Sequence, residues 1–270
     1  MTDRKTKWKE EAWEALLVQK WDTRGAACSV EYSVEDLNSI LSKYTKSGQG
    51  EIRIFHSGST KVFALKKRGV VKIPISRTQW KLVQAPKPLE FKEPQEGGIF
   101  SPQNELTEGM VAGIVDTLET KSNPGETTLL AIAKHTGLIR DFYTLTENGV
   151  LFTGGRQKAK VTVHVNGDMM DMSKAQIEID GGFEWPMDVV IAEMKSSFKQ
   201  TDFDTNQALL PMLKWKKLLP QKTVHSLVLL AETHQNNIEY WAYDIGESGA
   251  GLGAEILKSK KYIIELNHAH

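Results

Sequence analysis

Residues 176–195, QIEIDGGFEWPMDVVIAEMK, are the stretch that decides the fold of this chain. The run 189–192 is continuously apolar, and apolar residues alternate with polar ones well before Pro186, which is typical of two short strands joined by a turn. On the second strand Glu193 and Lys195 lie on one face, because successive side chains of a strand alternate. Charged groups at the end of a buried strand are costly unless they are paired or bind a metal. The stretch therefore predicts a hairpin with ionisable residues gathered at one end.

The turn fixes the register of this hairpin. If the chain reverses at Pro186-Met187, Asp180 lies opposite Glu193, and Glu178 lies opposite Lys195. Cβ atoms of directly opposed residues are about 5 Å apart, and like charges at that distance are destabilising. Two carboxylates so close, with an ammonium beside them, suit a divalent cation. Pro-Met is not a favoured two-residue turn, so a longer loop with the acids as diagonal neighbours is the alternative.

The donor chemistry predicts which cation such a site would take. Carboxylate and carbonyl oxygens, with no imidazole or thiolate nearby, favour Mg²⁺ or Mn²⁺ over Zn²⁺. A cation held by one or two carboxylates keeps positions for water and a phosphate oxygen, which suits phosphodiester hydrolysis. Lys195 would stabilise the developing charge or orient the attacking water. The alternative for Glu193 and Lys195 is an ordinary surface ion pair.

Composition excludes several other classes of protein. Of 270 residues, 40% are hydrophobic and 25% are charged, which is typical of a globular chain and excludes disorder and fibrous repeats. The 34 Lys and Arg equal the 34 Asp and Glu, so net charge gives no argument for a nucleic-acid or membrane partner. A single cysteine, Cys28, excludes an intramolecular disulfide and a cysteine-based zinc site. Residues 1–20 lack a secretory signal, and no apolar run is long enough to span a bilayer, so we expect a soluble cytoplasmic protein without a membrane partner.

Hydrophobic periodicity predicts a mixed α/β (α+β) chain. Helices are expected at 7–21, 34–44, 104–119, 127–137 and 204–218. Strands are expected at 51–55, 61–65, 70–75, 150–153, 160–165, 175–183, 188–195, 223–231, 238–244 and 262–266. Ser33 should cap the start of the second helix, and Gly137 the end of the fourth.

The stretch 84–103 is the richest in Pro and Gly, and it predicts a division of the chain. We expect an N-terminal α+β region at 1–90, a linker or wrapping loop at 91–103, and a catalytic domain at 104–270. The N-terminal region is the expected contributor to DNA recognition.

At this point the residues resemble a known family. Asp180, a gap of twelve residues and then Glu193-Met194-Lys195 resemble the PD-(D/E)xK nuclease signature, with Ile179-Asp180 in the place of Pro-Asp. Three longer strings are similar to a group of type II restriction-endonuclease-like proteins: IEIDGGFE (177–184), IAEMK (191–195) and DFDTNQALLP (202–211). VKIPISRTQW (71–80) is similar to the N-terminal region of that group.

The resemblance implies a restriction-endonuclease-like mixed central sheet flanked by helices, and it assigns roles to residues. Asp180 and Glu193 would be metal ligands for Mg²⁺, which Mn²⁺ can replace, with the carbonyl of Met194 as a further ligand. Lys195 would be the catalytic lysine. Gln207 would be an auxiliary catalytic residue, and its alternative is an ordinary position on a helix surface.

An acid from the preceding helix often joins sites of this family, and Glu105 or Glu108 are the candidates here. Residues proposed to contact DNA are the basic run Lys66, Lys67 and Arg68, together with Arg77 of the 71–80 string. The run 214–217 is also locally basic. Ordinary solvated faces are the alternative for both runs.

The activity that the resemblance implies is that of a type II restriction enzyme, a site-specific deoxyribonuclease. It would be a Mg²⁺-dependent endonuclease that hydrolyses double-stranded DNA, acting as a homodimer in a prokaryotic cytoplasm. Two alternatives stay open: a repair or recombination nuclease of the same fold without strict sequence specificity, and a catalytically inactive DNA-binding module.

Overall fold

The fold is described from a computed structural model, which covers residues 4–25, 29–43, 63–76, 78–84, 89–101, 124–146, 149–165, 168–197, 203–234, 237–248 and 252–265. Its helices are α1 (Arg4–Leu16, continued by a π-helical turn at Leu17–Trp21), α2 (Val34–Leu41), α3 (Phe63–Lys67), α4 (Glu126–His135), α5 (Leu138–Tyr143) and α6 (Asn206–Leu218). Its strands are β1 (Ser29–Ser33), β2 (Val70–Pro74), β3 (Gln79–Gln84), β4 (Gly97–Ile99), β5 (Val150–Lys158), β6 (Thr162–Val165), β7 (Asp168–Asp171), β8 (Gln176–Glu184), β9 (Asp188–Lys195), β10 (Thr223–Thr233), β11 (Asn237–Glu247) and β12 (Ala254–Glu265).

A seven-stranded mixed sheet of order β4-β12-β11-β10-β9-β8-β5 forms the centre of the C-terminal part. β9 and β10 run parallel, with α6 between them in the chain, while β8 pairs antiparallel with both β9 and β5. Parallel strands need such a crossover, and they are covered on both faces, which explains the continuous apolar runs of β9 and β10. The mixed sheet with its helices confirms the expected α/β (α+β) class.

Helices cover both faces of this sheet. On β9, Val189 and Ile191 belong to the apolar core that includes α6, whereas Val190 and Ala192 belong to the core that includes α4 and α5. The alternation of a strand thus sends successive side chains into two separate layers. β9 is therefore central in the fold, and only its last residues reach the rim of the sheet.

The N-terminal region has a small sheet of its own, with the order β1-β3-β2. Its core contains Trp13, Tyr32 and Trp80, and the rings of Tyr32 and Trp80 stack with centroids 5.4 Å apart. Ile73 and Val83 instead belong to the same apolar core as α6. The N-terminal region is therefore joined to the main sheet by shared packing.

The described part of the 91–103 segment wraps along the main sheet. The ring of Phe91 lies 4.8 Å from that of Tyr243, whose hydroxyl donates a hydrogen bond to the Lys92 carbonyl at 2.8 Å. The indole N–H of Trp241 donates to the Glu93 carboxylate at 2.9 Å. β4 then pairs with β12 at the edge of the sheet.

Several sequence predictions for single elements are confirmed, and others need correction. Ser33 caps α2 in a reciprocal capping box with Asp36, and Gly137 takes the left-handed conformation (φ 81°) after α4. The strand predicted at 61–65 is wrong because residues 63–67 are helical; a short apolar run does not by itself distinguish the two structures. β5 and β12 are longer than predicted because their exposed polar residues interrupt the apolar pattern.

The strand predicted at 51–55, the helix predicted at 104–119 and Cys28 lie outside the described residues. Among the helices that the structure describes, none combines the length and apolar character needed to cross a bilayer.

Candidate functional site

The hairpin of β8 and β9 has the register that the turn predicts. Phe183 pairs with Val190, and Gly181 pairs with Ala192. Beyond this last pair the ladder ends, and the carboxylate of Asp180 accepts a hydrogen bond from the backbone N–H of Met194 at 2.8 Å. The structure therefore brings Asp180 beside the Glu193-Met194-Lys195 segment, as the sequence predicts.

Glycines explain how β8 can leave β9 at this point. A Cβ on Gly182 would lie 2.3 Å from the side chain of Thr153, so only glycine allows β5 to pack this closely. The β5–β8 register shifts near Thr153 and Gly155, and Gly155 has φ +73°, a conformation that favours glycine. The bulge lets β8 stay paired with β5 after it leaves β9. Where the two strands separate, the carboxylate of Asp180 accepts the hydrogen bond of the Met194 N–H.

Glu193 and Lys195 form a buried ion pair at the end of β9. The Lys195 Nζ lies 2.5 Å from Glu193 Oε1 and 3.9 Å from Glu126 Oε1. Glu193 is only 4% exposed, and the Lys195 side chain is 14% exposed. An ion pair this enclosed differs from the exposed pair that is the alternative interpretation, because most of its hydration has been removed.

The titration of the two groups reflects this enclosure. Burial raises the pKa of Glu193 to about 8; Lys195 opposes this shift, while the nearby negative charge of Asp180 adds to it. Burial opposes the charge on Lys195, but Glu193, Glu126 and Asp180 outweigh it and raise the pKa of the ammonium. The site thus gathers three carboxyl groups around one lysine, and a bound cation would favour the ionised form of Glu193.

Glu126 is the site residue that sequence reasoning missed. It is the first residue of α4, and an acid in that position is usually explained by the partial positive charge at a helix N-terminus. The sequence placed the additional acid at Glu105 or Glu108, both of which lie outside the described residues. Only the packing of α4 against β8 and β9 brings Glu126 to Lys195.

The partner predicted for Glu178 is wrong. β8 has left β9 before reaching this residue, so Glu178 faces Arg156 on β5, with Nε and Oε2 3.4 Å apart. Both side chains are more than half exposed. Lys195 has Glu193 and Glu126 instead.

Gln207 is the second residue of α6, where it is exposed. Within the described chain its backbone N–H donates to the carbonyl of Asp204 at 2.9 Å, but its side chain makes no hydrogen bond to Asp180, Glu193 or Lys195. The carboxylate of Asp204 accepts a hydrogen bond from the N–H of Asn206 at 3.0 Å, just before the first turn of α6.

The basic run predicted to contact DNA has one residue engaged in contacts within the chain. Arg68 binds Glu14 through two hydrogen bonds of 2.8 Å and also binds Asp22, so its guanidinium is engaged within the N-terminal region. Lys67 is exposed. The side chain of Lys66 and all of Arg77 lie outside the description.

The donors at the rim of the sheet fit Mg²⁺ or Mn²⁺ by their chemistry. Within the described ranges, no group of three or more His, Cys, Asp or Glu side chains is arranged to hold a metal ion. Mg²⁺ is usually bound through one or two carboxylates because it keeps several waters. Asp180 and Glu193 could provide those two carboxylates, and Met194, whose N–H donates to Asp180, could add its carbonyl oxygen.

Comparison with known proteins gives one match. The family model described as Domain of unknown function (DUF6997) matches residues 100–263, which is more than half of the chain. No curated protein and no solved structure matches the chain. The matched segment begins just after β4, so it contains six of the seven strands of the main sheet, up to most of β12, and all the residues of the candidate site.

Proposed function

We propose that this chain, which belongs to the DUF6997 family, is a Mg²⁺-dependent endonuclease that hydrolyses phosphodiester bonds of double-stranded DNA at a defined sequence. One observation carries the proposal: Asp180, Glu193 and Lys195 meet where β8 and β9 separate, with Glu193 and Lys195 largely removed from water. Two acids and a lysine in this arrangement suit the hydrolysis of a phosphate diester.

Each residue has a distinct role in this proposal. Asp180 and Glu193 would hold Mg²⁺ or Mn²⁺, with the carbonyl of Met194 as a further donor. When bound, the cation supplies Lewis-acid chemistry toward a phosphodiester and lowers the pKa of a bound water. Lys195 keeps its proton because carboxylates surround it, and its ammonium stabilises the negative charge that develops on the phosphoryl oxygens. Glu126 orients Lys195 from the side of α4.

The proposal includes the biological setting of a type II restriction enzyme in a prokaryotic cytoplasm. Cleavage of both strands at one site requires two active centres, which a homodimer on a palindromic site provides. The N-terminal region, which packs on α6 through Ile73 and Val83, would take part in reading the sequence.

The deciding experiment is a digest of unmethylated phage DNA by the purified protein, with and without Mg²⁺. Lys195→Ala should lower the rate by about 100-fold or more, because a charge that stabilises the transition state is lost. Lys222→Ala is the matched control, since the Lys222 side chain is 13% exposed and lies 2.5 Å from Glu184. Lys222 lies beside the turn of the hairpin, at the opposite end of β9 from Lys195.

Discrete Mg²⁺-dependent fragments that disappear with Lys195→Ala and persist with Lys222→Ala would support the proposal. A Mg²⁺-dependent smear would favour a repair or recombination nuclease. Absence of cleavage by the folded wild-type protein in both Mg²⁺ and Mn²⁺ would leave the DNA-binding module as the interpretation.

A further inference from the structure

We infer that the outer edge of the sheet beside Asp180 is a track for the phosphate backbone of duplex DNA. The track is a stripe of five exposed cations, called here the β5 stripe: Arg156, Lys158, Lys160, Lys174 and Lys217. The inference rests on the proposed function for its ligand, because it assigns the surface that brings DNA to the same site. The cations that the sequence singled out at Lys66, Lys67, Arg68 and Arg77 belong to a different region of the chain.

The first argument is continuity with the site. Glu178 precedes Asp180 by two residues on β8, so the strand leads directly from the site to Glu178. Arg156 pairs with Glu178, and Lys158 pairs with Gln176 on the same face of β5. The edge of the sheet formed by β8 and β5 therefore leads from Asp180 to Arg156 and Lys158.

The second argument is that the remaining cations of the stripe continue from this point. The backbone N–H of Ala159 donates to the carbonyl of Ala175 at 2.8 Å, which places Lys160 near Lys174. Lys217, on the last turn of α6, donates to the carbonyl of Lys160 at 3.4 Å. Strand, turn and helix thus contribute cations to the same outer edge of the sheet, with Arg156 and Lys158 on the face away from α6 and Lys217 on α6 itself.

Charge is the third argument. Glu178 lies beside Arg156, and Asp171 lies near Lys174 and Lys217, so the five cations exceed these two acids on a chain of net charge zero. The 3.4 Å pair of Arg156 and Glu178 is exposed, and such pairs are weak enough for a phosphate to displace. Within the described residues, Lys158 and Lys174 form no ion pair. A polyanion is the partner that this imbalance favours.

The dimensions also fit a DNA backbone. Residues rise about 3.3 Å each along a strand, so the stripe extends about 13–20 Å from Asp180. At about 3.4 Å per base pair this distance covers about four to six base pairs on one side of the cut. β5 is an outer strand, and the glycine bulge at Gly154-Gly155 leaves open space at Gly155. A phosphate chain can therefore approach Asp180 closely along this edge.

The test is binding of a fluorescent, unmethylated DNA duplex of about 30 base pairs, measured by anisotropy from about 50 to about 200 mM salt without divalent cation. The full chain is compared with Lys158→Gln/Lys174→Gln. Because two phosphate contacts are lost, the slope of log affinity against log salt should become shallower by about two. Lys92→Gln/Lys258→Gln removes the same charge from exposed positions outside both the stripe and the N-terminal region, and it should leave the slope unchanged. Thermal unfolding of both variants checks that they are folded.

The outcomes separate this inference from the proposed function. A shallower slope in the stripe variant alone supports the track, even if the wild-type protein never cleaves DNA in Mg²⁺. Equal slopes in both variants overturn the track, even if the wild-type protein cuts DNA into discrete fragments. Tighter binding of an RNA of the same sequence than of the DNA duplex would also overturn it.

Discussion

At the scale of single residues, the acid that completes the site comes from outside the motif. Glu126 approaches Lys195 from the first turn of α4. Glu178 is only two residues from Asp180 in sequence, but it pairs with Arg156 on β5. Sequence proximity to the motif is therefore a poor guide here. The separation of β8 from β9 decides which acid the lysine meets, because opposed positions exist only while the strands remain paired.

These two acids give a matched pair of substitutions. Glu126→Gln should lower the cleavage rate by about tenfold, since Lys195 loses a charged partner that orients it. Glu178→Gln removes the same charge within a few residues of Asp180 and should leave the rate within about threefold. Initial rates on one plasmid substrate, measured across a pH series, would test both. A larger loss for Glu178→Gln would contradict the assignment of Glu126.

At the scale of elements, β2 carries an unusual residue for a buried strand. Lys72 is 6% exposed, and its Nζ has no hydrogen-bond partner among the described residues. Burial lowers the pKa of Lys72 to about 8, although the negative charge of Asp204 opposes this shift. Asp204 precedes α6, so the lysine lies where the N-terminal sheet meets the helix that follows the site.

The pH dependence of stability should reveal this lysine. Below pH 8 both the folded and unfolded states hold its proton, and the folded state bears the full cost of the buried charge. Between pH 8 and the unfolded pKa of 10.5 the unfolded state binds more protons, so the free energy of unfolding should rise with pH. The total rise from this group is about 3 kcal/mol.

Lys72→Met should therefore raise the free energy of unfolding at pH 7 by about 1–3 kcal/mol and remove its contribution to the rise above pH 8. Denaturant unfolding at pH 7, 8, 9 and 10 measures both effects. Lys81→Met on the neighbouring strand β3 is the control, because Lys81 is only partly buried and pairs with Glu31 at 3.4 Å. A loss of stability in Lys72→Met would show that the ammonium has a stabilising partner.

At the scale of the whole molecule, the N-terminal region and the main sheet share apolar packing. Ile73 is fully buried in the core that contains α6, and Phe91 packs on Tyr243 from the wrapping segment. A region attached only by a flexible linker would lack such contacts. The two parts should consequently unfold together in one cooperative transition.

Ile73→Ala tests this coupling. We expect a single calorimetric transition whose free energy of unfolding falls by about 2–5 kcal/mol, since a cavity opens in a shared core. Ile99→Ala, at a position that is 66% exposed, should change the free energy by no more than about 0.5 kcal/mol. Two separate transitions, with Ile73→Ala shifting only the transition of the N-terminal region, would show that the regions are independent.

Local pattern determined much of what lies within one hairpin or one helix. The alternation in β8 and β9 and the turn at Pro186-Met187 gave the register, and hence the meeting of Asp180 with Glu193 and Lys195. Capping of α2 by Ser33 was likewise predictable, since it depends on residues three positions apart.

Contacts between elements distant in sequence were decided only by the tertiary structure. Glu126 and Lys195 are brought together by packing of a helix on a sheet. Arg68 likewise binds Glu14 and Asp22, which are distant from it in sequence. The cations of the β5 stripe come from a strand, a turn and a helix, so no local run of sequence reveals them. The physical reason is that hydrogen bonding and alternation act over a few residues, whereas side-chain packing chooses partners by shape and burial across the whole chain.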